Sequence, residues 1–204
     1  MNTLIVDYDA GNLRSVQRAC REVHLDAEIC ADPERLRLAE RVIFPGVGAA
    51  GSAMRSLHER GLGSALQEVL DLGRPVLGIC LGMQISLQRS EENATTTLGL
   101  IDGEVVRFDF SDPALKVPHM GWNEVRVTQA HPLLAGIEAG DEFYFVHGYY
   151  PRPALAECVF AQTEYERTFA CALGRDNYFG TQFHPEKSGR VGLRLLAQFA
   201  AWSP

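Results

Sequence analysis

Short apolar runs alternate with amphipathic stretches through the first half of the chain, and this spacing predicts strands and helices in turn. Thr3 to Asp7 reads as a strand and Tyr8 to Asn12 as a turn. Leu13 to Val23 reads as a helix, because Leu13, Val16, Ala19, Cys20 and Val23 recur on one face. Ala27 to Cys30 is a second strand. Asp32 before Pro33 gives an N-cap and a proline at the first helical position, so a short helix is expected to Ala39. Val42 to Phe44 and Pro75 to Ile79 are further strands, with helices over Ala49 to Arg60 and Gly63 to Leu70 between them. A helix over Leu81 to Arg89 follows. Strands separated by helices form a largely parallel sheet covered on both faces, and functional groups on such sheets gather where strands end at the C-terminal edge.

After about Leu98 the pattern changes. Strand-like runs follow at Glu104 to Phe108, Asn123 to Thr128, Glu142 to Val146, Cys158 to Gln162, Phe169 to Leu173 and Tyr178 to Phe183, and Val191 to Trp202 closes the chain as an amphipathic helix. The expected fold class is α/β: a three-layer, open mixed sheet, largely parallel, with helices on both faces and extra antiparallel strands from the C-terminal half. The length of 204 residues suits one sizeable core, and no Pro/Gly/Ser-rich or charged run divides residues 1–204, so one domain is expected.

Composition narrows the partners. The formal charge is −7 with no basic cluster, which argues against nucleic acid or an anionic membrane surface and for a small polar metabolite or another protein. No run approaches the roughly 18 apolar residues of a membrane span, and Met1 leads directly into a strand-like run without signal-peptide architecture, so a cytoplasmic location is expected. The 5 cysteines are odd in number and show no paired spacing, so neither a disulfide framework nor a metal site is expected. Cys20, Cys30, Cys158 and Cys171 read as small hydrophobes.

The fifth cysteine is different. In Gly78-Ile79-Cys80-Leu81-Gly82 an apolar strand runs into a cysteine with a glycine two residues away on each side, the pattern of a nucleophile elbow. The tight turn leaves no room for a β-carbon at residue 78 or 82, and its strained backbone projects the nucleophile. Unpaired N–H groups at the start of the following helix favour an anion there and so raise the thiolate fraction. A buried cysteine at an ordinary strand-to-helix junction would match the same pattern. His184-Pro185-Glu186 supplies the second half: two groups on one side of an extended segment, His184 as base and Glu186 holding its other ring N–H. A strand-end histidine beside a solvated glutamate is the plain alternative, and the elbow cysteine weighs against it.

Cys80, His184 and Glu186 resemble, in order and context, the triad of the class I glutamine amidotransferases. The resemblance narrows at residues 7–13 (Asp-Tyr-Asp-Ala-Gly-Asn-Leu), 45–48 (Pro-Gly-Val-Gly), 118–123 (Pro-His-Met-Gly-Trp-Asn), 144–147 (Tyr-Phe-Val-His) and 184–188 (His-Pro-Glu-Lys-Ser). This set is similar to the glutaminase subunits of imidazole glycerol phosphate synthase. It implies glutamine as substrate, hydrolysed to glutamate and ammonia through a cysteine thioester, no cofactor, and a heterodimer with a cyclase subunit that receives the ammonia. Another glutaminase on this fold, or a catalytically idle docking subunit, stays open.

The elbow also implies an oxyanion hole. One donor is the N–H of Leu81 and the other an N–H of the Gly46-Val47-Gly48 turn, whose glycines let the Val47 peptide turn either way. Gln84 lies one helical turn past Cys80, in reach of substrate. The resemblance adds Glu92 for the substrate ammonium, backbone at His147, Gly148 and Tyr149 for its carboxylate, and Asn12, Trp122 and Lys187 at the cyclase interface near an ammonia channel. It further implies that activity stays low until the cyclase binds its own substrate. Two positions depart from the family: Gly148, where Ser or Thr is usual, and Glu166, where glycine is usual.

Overall fold

A computed structural model describes residues 2–111 and 115–204. The first half follows the expected alternation: β1 (Thr3–Val6), α1 (Leu13–Glu22), β2 (Ala27–Cys30), α2 (Pro33–Arg37), β3 (Arg41–Gly46), α3 (Ala50–Glu59), α4 (Leu62–Asp71), β4 (Val76–Cys80) and α5 (Leu81–Gln84). Asp32 caps α2 by accepting from the Glu34 N–H at 2.9 Å. The second half contributes β5 (Arg89–Ser90), β6 (Thr95–Thr96), β7 (Gly103–Arg107), β8 (His119–Glu124), β9 (Arg126–Val127), β10 (Glu142–His147), β11 (Tyr149–Pro153), β12 (Val159–Tyr165), β13 (Arg167–Arg175), β14 (Tyr178–Thr181) and α6 (Gly189–Ala201).

The main sheet runs β2-β1-β3-β4-β14-β13-β12-β9, parallel from β2 to β14 and antiparallel beyond. The chain steps one way from β1 to β2 and the other way from β2 to β3 and β4. With right-handed crossovers, that reversal puts α1 on one face and α2, α3 and α4 on the other. Accordingly α1 packs with α6, while α2 and α3 pack with α4. Phe44, Phe179, Phe183 and Phe199 are fully buried in the core. Of the extra strands, β9, β12 and β13 extend the sheet, while β8 pairs with β10 and β11-β7-β5-β6 form a smaller sheet.

Two expectations are corrected. The helix expected over Leu81 to Arg89 stops at Gln84, because residues 81–87 are all buried and offer no polar face. There the Ser86 hydroxyl donates to the Met83 carbonyl at 2.6 Å and the chain enters β5. The run Asn123 to Thr128 is two strands, with β8 pairing to β10 and β9 to β12. Outside the expected strands lies β11, whose Pro151 and Pro153 suit an edge; among the described residues its ladder partner is β7.

Candidate active site

Strand register assembles the site. Parallel pairing sets Gly46 opposite Cys80 and Thr181 opposite Ile79, so the ends of β3, β4 and β14 lie side by side at one rim. Cys80 occupies the turn with φ 53° and ψ −108°, a conformation that costs an L-residue of order 1–3 kcal/mol. The glycines are needed as expected. A β-carbon on Gly82 would collide with the Phe44 carbonyl, and one on Gly78 would meet the Tyr178 hydroxyl and, at 3.1 Å, the Gly82 backbone.

Past β14, the His184 N–H donates to the Tyr144 carbonyl at 2.9 Å, and the Ser188 hydroxyl donates to the His184 carbonyl at 2.6 Å. These bonds fix the segment. The His184 Nδ1–H then donates to Glu186 Oε1 at 2.7 Å, with both side chains almost wholly buried. Asn12, in a left-handed conformation with φ 75°, donates its side-chain amide to the same oxygen. The remaining ring nitrogen, Nε2, is buried without a hydrogen-bond partner among the described residues. Burial works to lower the imidazole pKa, but the charge of the Cys80 sulfur, with Glu186, outweighs it and raises the value to about 10. The protonated imidazolium form of His184 is therefore favoured.

Cys80 lines a cavity of about 290 Å³, together with Val47, Gly48, Leu81 and Gln84. Glu92, His147, Gly148 and Tyr149 line the same space. Eight residues expected around the substrate thus share a cavity with Cys80. A larger open hollow of about 630 Å³ beneath Arg107, Arg152 and Arg167 holds none of them. Gly48, at φ 105°, has a backbone suited to glycine. Glu92 Oε2 accepts from the Ala50 N–H at 2.6 Å and so closes the N-terminus of α3. Gln84 spends its amide N–H groups inside the protein, on the Tyr149 carbonyl at 2.8 Å and on Gln182 Oε1 at 3.0 Å. Any contact with substrate therefore falls to its oxygen.

His147 is committed as well. Its Nδ1–H donates to the Tyr149 carbonyl at 2.8 Å, and its Nε2 accepts from His119 Nδ1–H at 3.0 Å. Burial pushes His147 down to about 3 and His119 to about 4, so both stay neutral. Only backbone around residue 147 is left to meet substrate. The two departures acquire reasons. A β-carbon at Gly148 would press on Val117 Cγ1 at 3.3 Å. Glu166 has the left-handed φ of 61° that favours glycine, but its Oε1 accepts from the Ser111 N–H at 3.0 Å and hydroxyl at 2.8 Å.

Of the three interface candidates, Trp122 is 53% exposed on β8 and meets the Tyr144 ring edge-on at 6.1 Å. Lys187 Nζ lies 5.7 Å from the same ring. Asn12 differs, since its side chain turns inward to Glu186. Gln182 went unread in the sequence. Its signal was the strand period, because alternate residues 182 and 184 of an extended segment share a side.

A cysteine on a strained turn, an imidazole held by a carboxylate and an adjoining cavity, all at the C-terminal rim of this sheet, define the site of a class I glutamine amidotransferase. The profile described as Glutamine amidotransferase class-I matches residues 4–201. A solved structure described as a glutamine amidotransferase superposes with a TM-score of 0.75 at 18% identity, covering 98% of this chain and 99% of that one. Imidazole glycerol phosphate synthase subunit HisH of Chromobacterium violaceum is 46% identical, covering 99% of this chain and 98% of the relative. The subunit of the same name from Desulfovibrio desulfuricans is 52% identical, covering 96% and 92%. The chain belongs to the class I glutamine amidotransferases and, within them, to the HisH family.

Proposed function

We propose that this chain hydrolyses glutamine at Cys80 and passes the ammonia to a cyclase subunit that makes imidazole glycerol phosphate and the aminoimidazole carboxamide ribonucleotide in histidine biosynthesis. The observation that carries the reading is His184: one ring nitrogen is tied to Glu186, and the other is free within the field of the Cys80 sulfur. The Cys80 thiolate attacks the side-chain amide carbon and forms a C–S bond. His184 Nε2 gives its proton to the departing nitrogen as the C–N bond breaks. Neutral His184 then takes a proton from water as the hydroxide adds to the thioester carbon, and the C–S bond breaks to release glutamate and return the Cys80 thiolate beside protonated His184.

The Leu81 N–H, which has no helical partner at the first position of α5, and an N–H of the Val47-Gly48 turn hold the oxyanion. Glu92 receives the substrate ammonium, the Gln84 oxygen contacts the substrate, and backbone at His147, Gly148 and Tyr149 meets its carboxylate. Ammonia released into water becomes ammonium and loses its nucleophilicity, so the partner must sit over this rim. The face carrying Trp122 and Lys187 fits that docking as a heterodimer. No described helix is long and apolar enough to cross a membrane, and the reading places the reaction in the cytoplasm.

The test is steady-state glutamine hydrolysis by the chain alone, with the cyclase, and with the cyclase and its ligand. Strong stimulation is expected at the last step. Equal rates in all three would overturn both the pairing and the gating.

A further inference from the structure

We propose that Gln182 is a further catalytic residue, whose side-chain amide donates a hydrogen bond to the Cys80 sulfur in an orientation set by the groups behind it. The inference rests on Cys80 being the nucleophile. Thr181 pairs with Ile79 across β14 and β4, so residue 182 comes level with Cys80. Gln182 is fully buried there, and its Nε2 lies 3.7 Å from Sγ, within hydrogen-bond reach of a sulfur acceptor.

The amide has one way to face. The Tyr149 carbonyl can only accept, so Gln84 must present its nitrogen to it, at 2.8 Å. The second N–H on that nitrogen reaches Gln182 Oε1 at 3.0 Å. With its oxygen taken, Gln182 has its NH₂ group left for the sulfur. The Tyr149 carbonyl is itself held by the His147 Nδ1–H at 2.8 Å, and His119 holds His147 at 3.0 Å. Asn123 in turn donates to His119 Nε2 at 3.2 Å. A buried network whose members are all paired is rigid, and reversing one amide in it strands the others.

An N–H directed at sulfur stabilises the thiolate over the thiol and keeps the sulfur from turning into the core. Gln182 thus completes with a donor what His184 supplies with charge. The amide is suited to this: it cannot take the proton from the thiol, so it does not compete with His184 for it.

The test uses the full chain, with iodoacetamide as probe and the mass of the Cys80 peptide as readout across a pH series; Cys80→Ala is the blank. Gln182→Met removes the donor at similar volume, and Gln182→Glu keeps the shape while replacing the donor with an acceptor. In both, alkylation at neutral pH is expected to slow about tenfold, the size of a lost hydrogen bond to a charged group, with the profile displaced toward alkaline pH. In the complex with cyclase, kcat falls by a similar factor and KM changes little. Gln84→Met, which frees the Gln182 amide to turn, gives a smaller loss in the same direction. Thermal melting identifies any variant that fails to fold, and the one that folds decides. A folded variant that alkylates at the parental rate at every pH overturns the proposal. Glutamine hydrolysis retained by Cys80→Ala would instead overturn the assignment of the nucleophile, and the alkylation result would be read independently of it.

Discussion

His184 at the rim and the His119–His147 pair behind the cavity are buried to nearly the same degree, at 0%, 3% and 5% exposure, yet their pKa values move in opposite directions. Burial lowers all three. Only His184 has a carboxylate on one side and a sulfur that can carry charge on the other, and their attraction exceeds the desolvation cost. His147 has a neutral imidazole and a backbone carbonyl for neighbours, and the upward pull of the Tyr149 carbonyl is too weak to offset its burial. One imidazole is thereby fitted to move protons and the other two to hold geometry. The charge of the neighbours, not depth in the core, separates the roles.

The largest blow to that contrast comes at the sulfur. Cys80→Ala is expected to cut glutamine-dependent synthesis by about 10⁴-fold or more while leaving synthesis from added ammonium, measured as cyclase product in the reconstituted complex. Glu186→Ala leaves the ring without its acceptor and Asn12 without its partner. A fall of about 10²- to 10³-fold in glutaminase kcat is expected, and parental turnover would show that the carboxylate does not orient His184.

A finer comparison follows the protons themselves. Imidazole NMR should find His184 protonated above pH 8 while His119 and His147 stay neutral at pH 5. In Cys80→Ala the His184 value should drop, because the sulfur's charge is gone. The smallest effect concerns stability. The folded values of His119 and His147 lie below the unfolded value of about 6.5, so the unfolded chain takes up protons first on acidification. The contribution of this pair is full above about pH 6.5 and falls toward pH 4 and 3, with His131, also buried and lowered to about 4, adding to the slope. His147→Asn should flatten that acid limb in urea titrations at a cost of about 1–3 kcal/mol at neutral pH.

The rim was legible because its constraints are local. Gly78, Gly82 and Cys80 record a turn at fixed spacing, and His184 and Glu186 record an extended segment stopped by Pro185. What was hidden depends on pairing across the chain. Nothing near residue 125 says that β8 joins β10 and β9 joins β12, because that choice belongs to the partner strands. Nothing near Gln84 says that its nitrogen is committed to the Tyr149 carbonyl, 65 positions away, which leaves its oxygen for substrate. Asn12 reads as an interface residue, and its bond to Glu186 depends on a segment 174 positions away. Glu166 defied reading for another reason: its backbone strain is offset by Ser111, across a hairpin and a loop.

The φ of 53° at Cys80 carries a cost that outlasts any single turnover. Cys80→Gly should accept that backbone without strain and melt at a higher temperature than the parent, while hydrolysing nothing. Selection for thermal robustness alone would therefore erode the thiol. At residue 80 the chain holds reactivity at the expense of sturdiness.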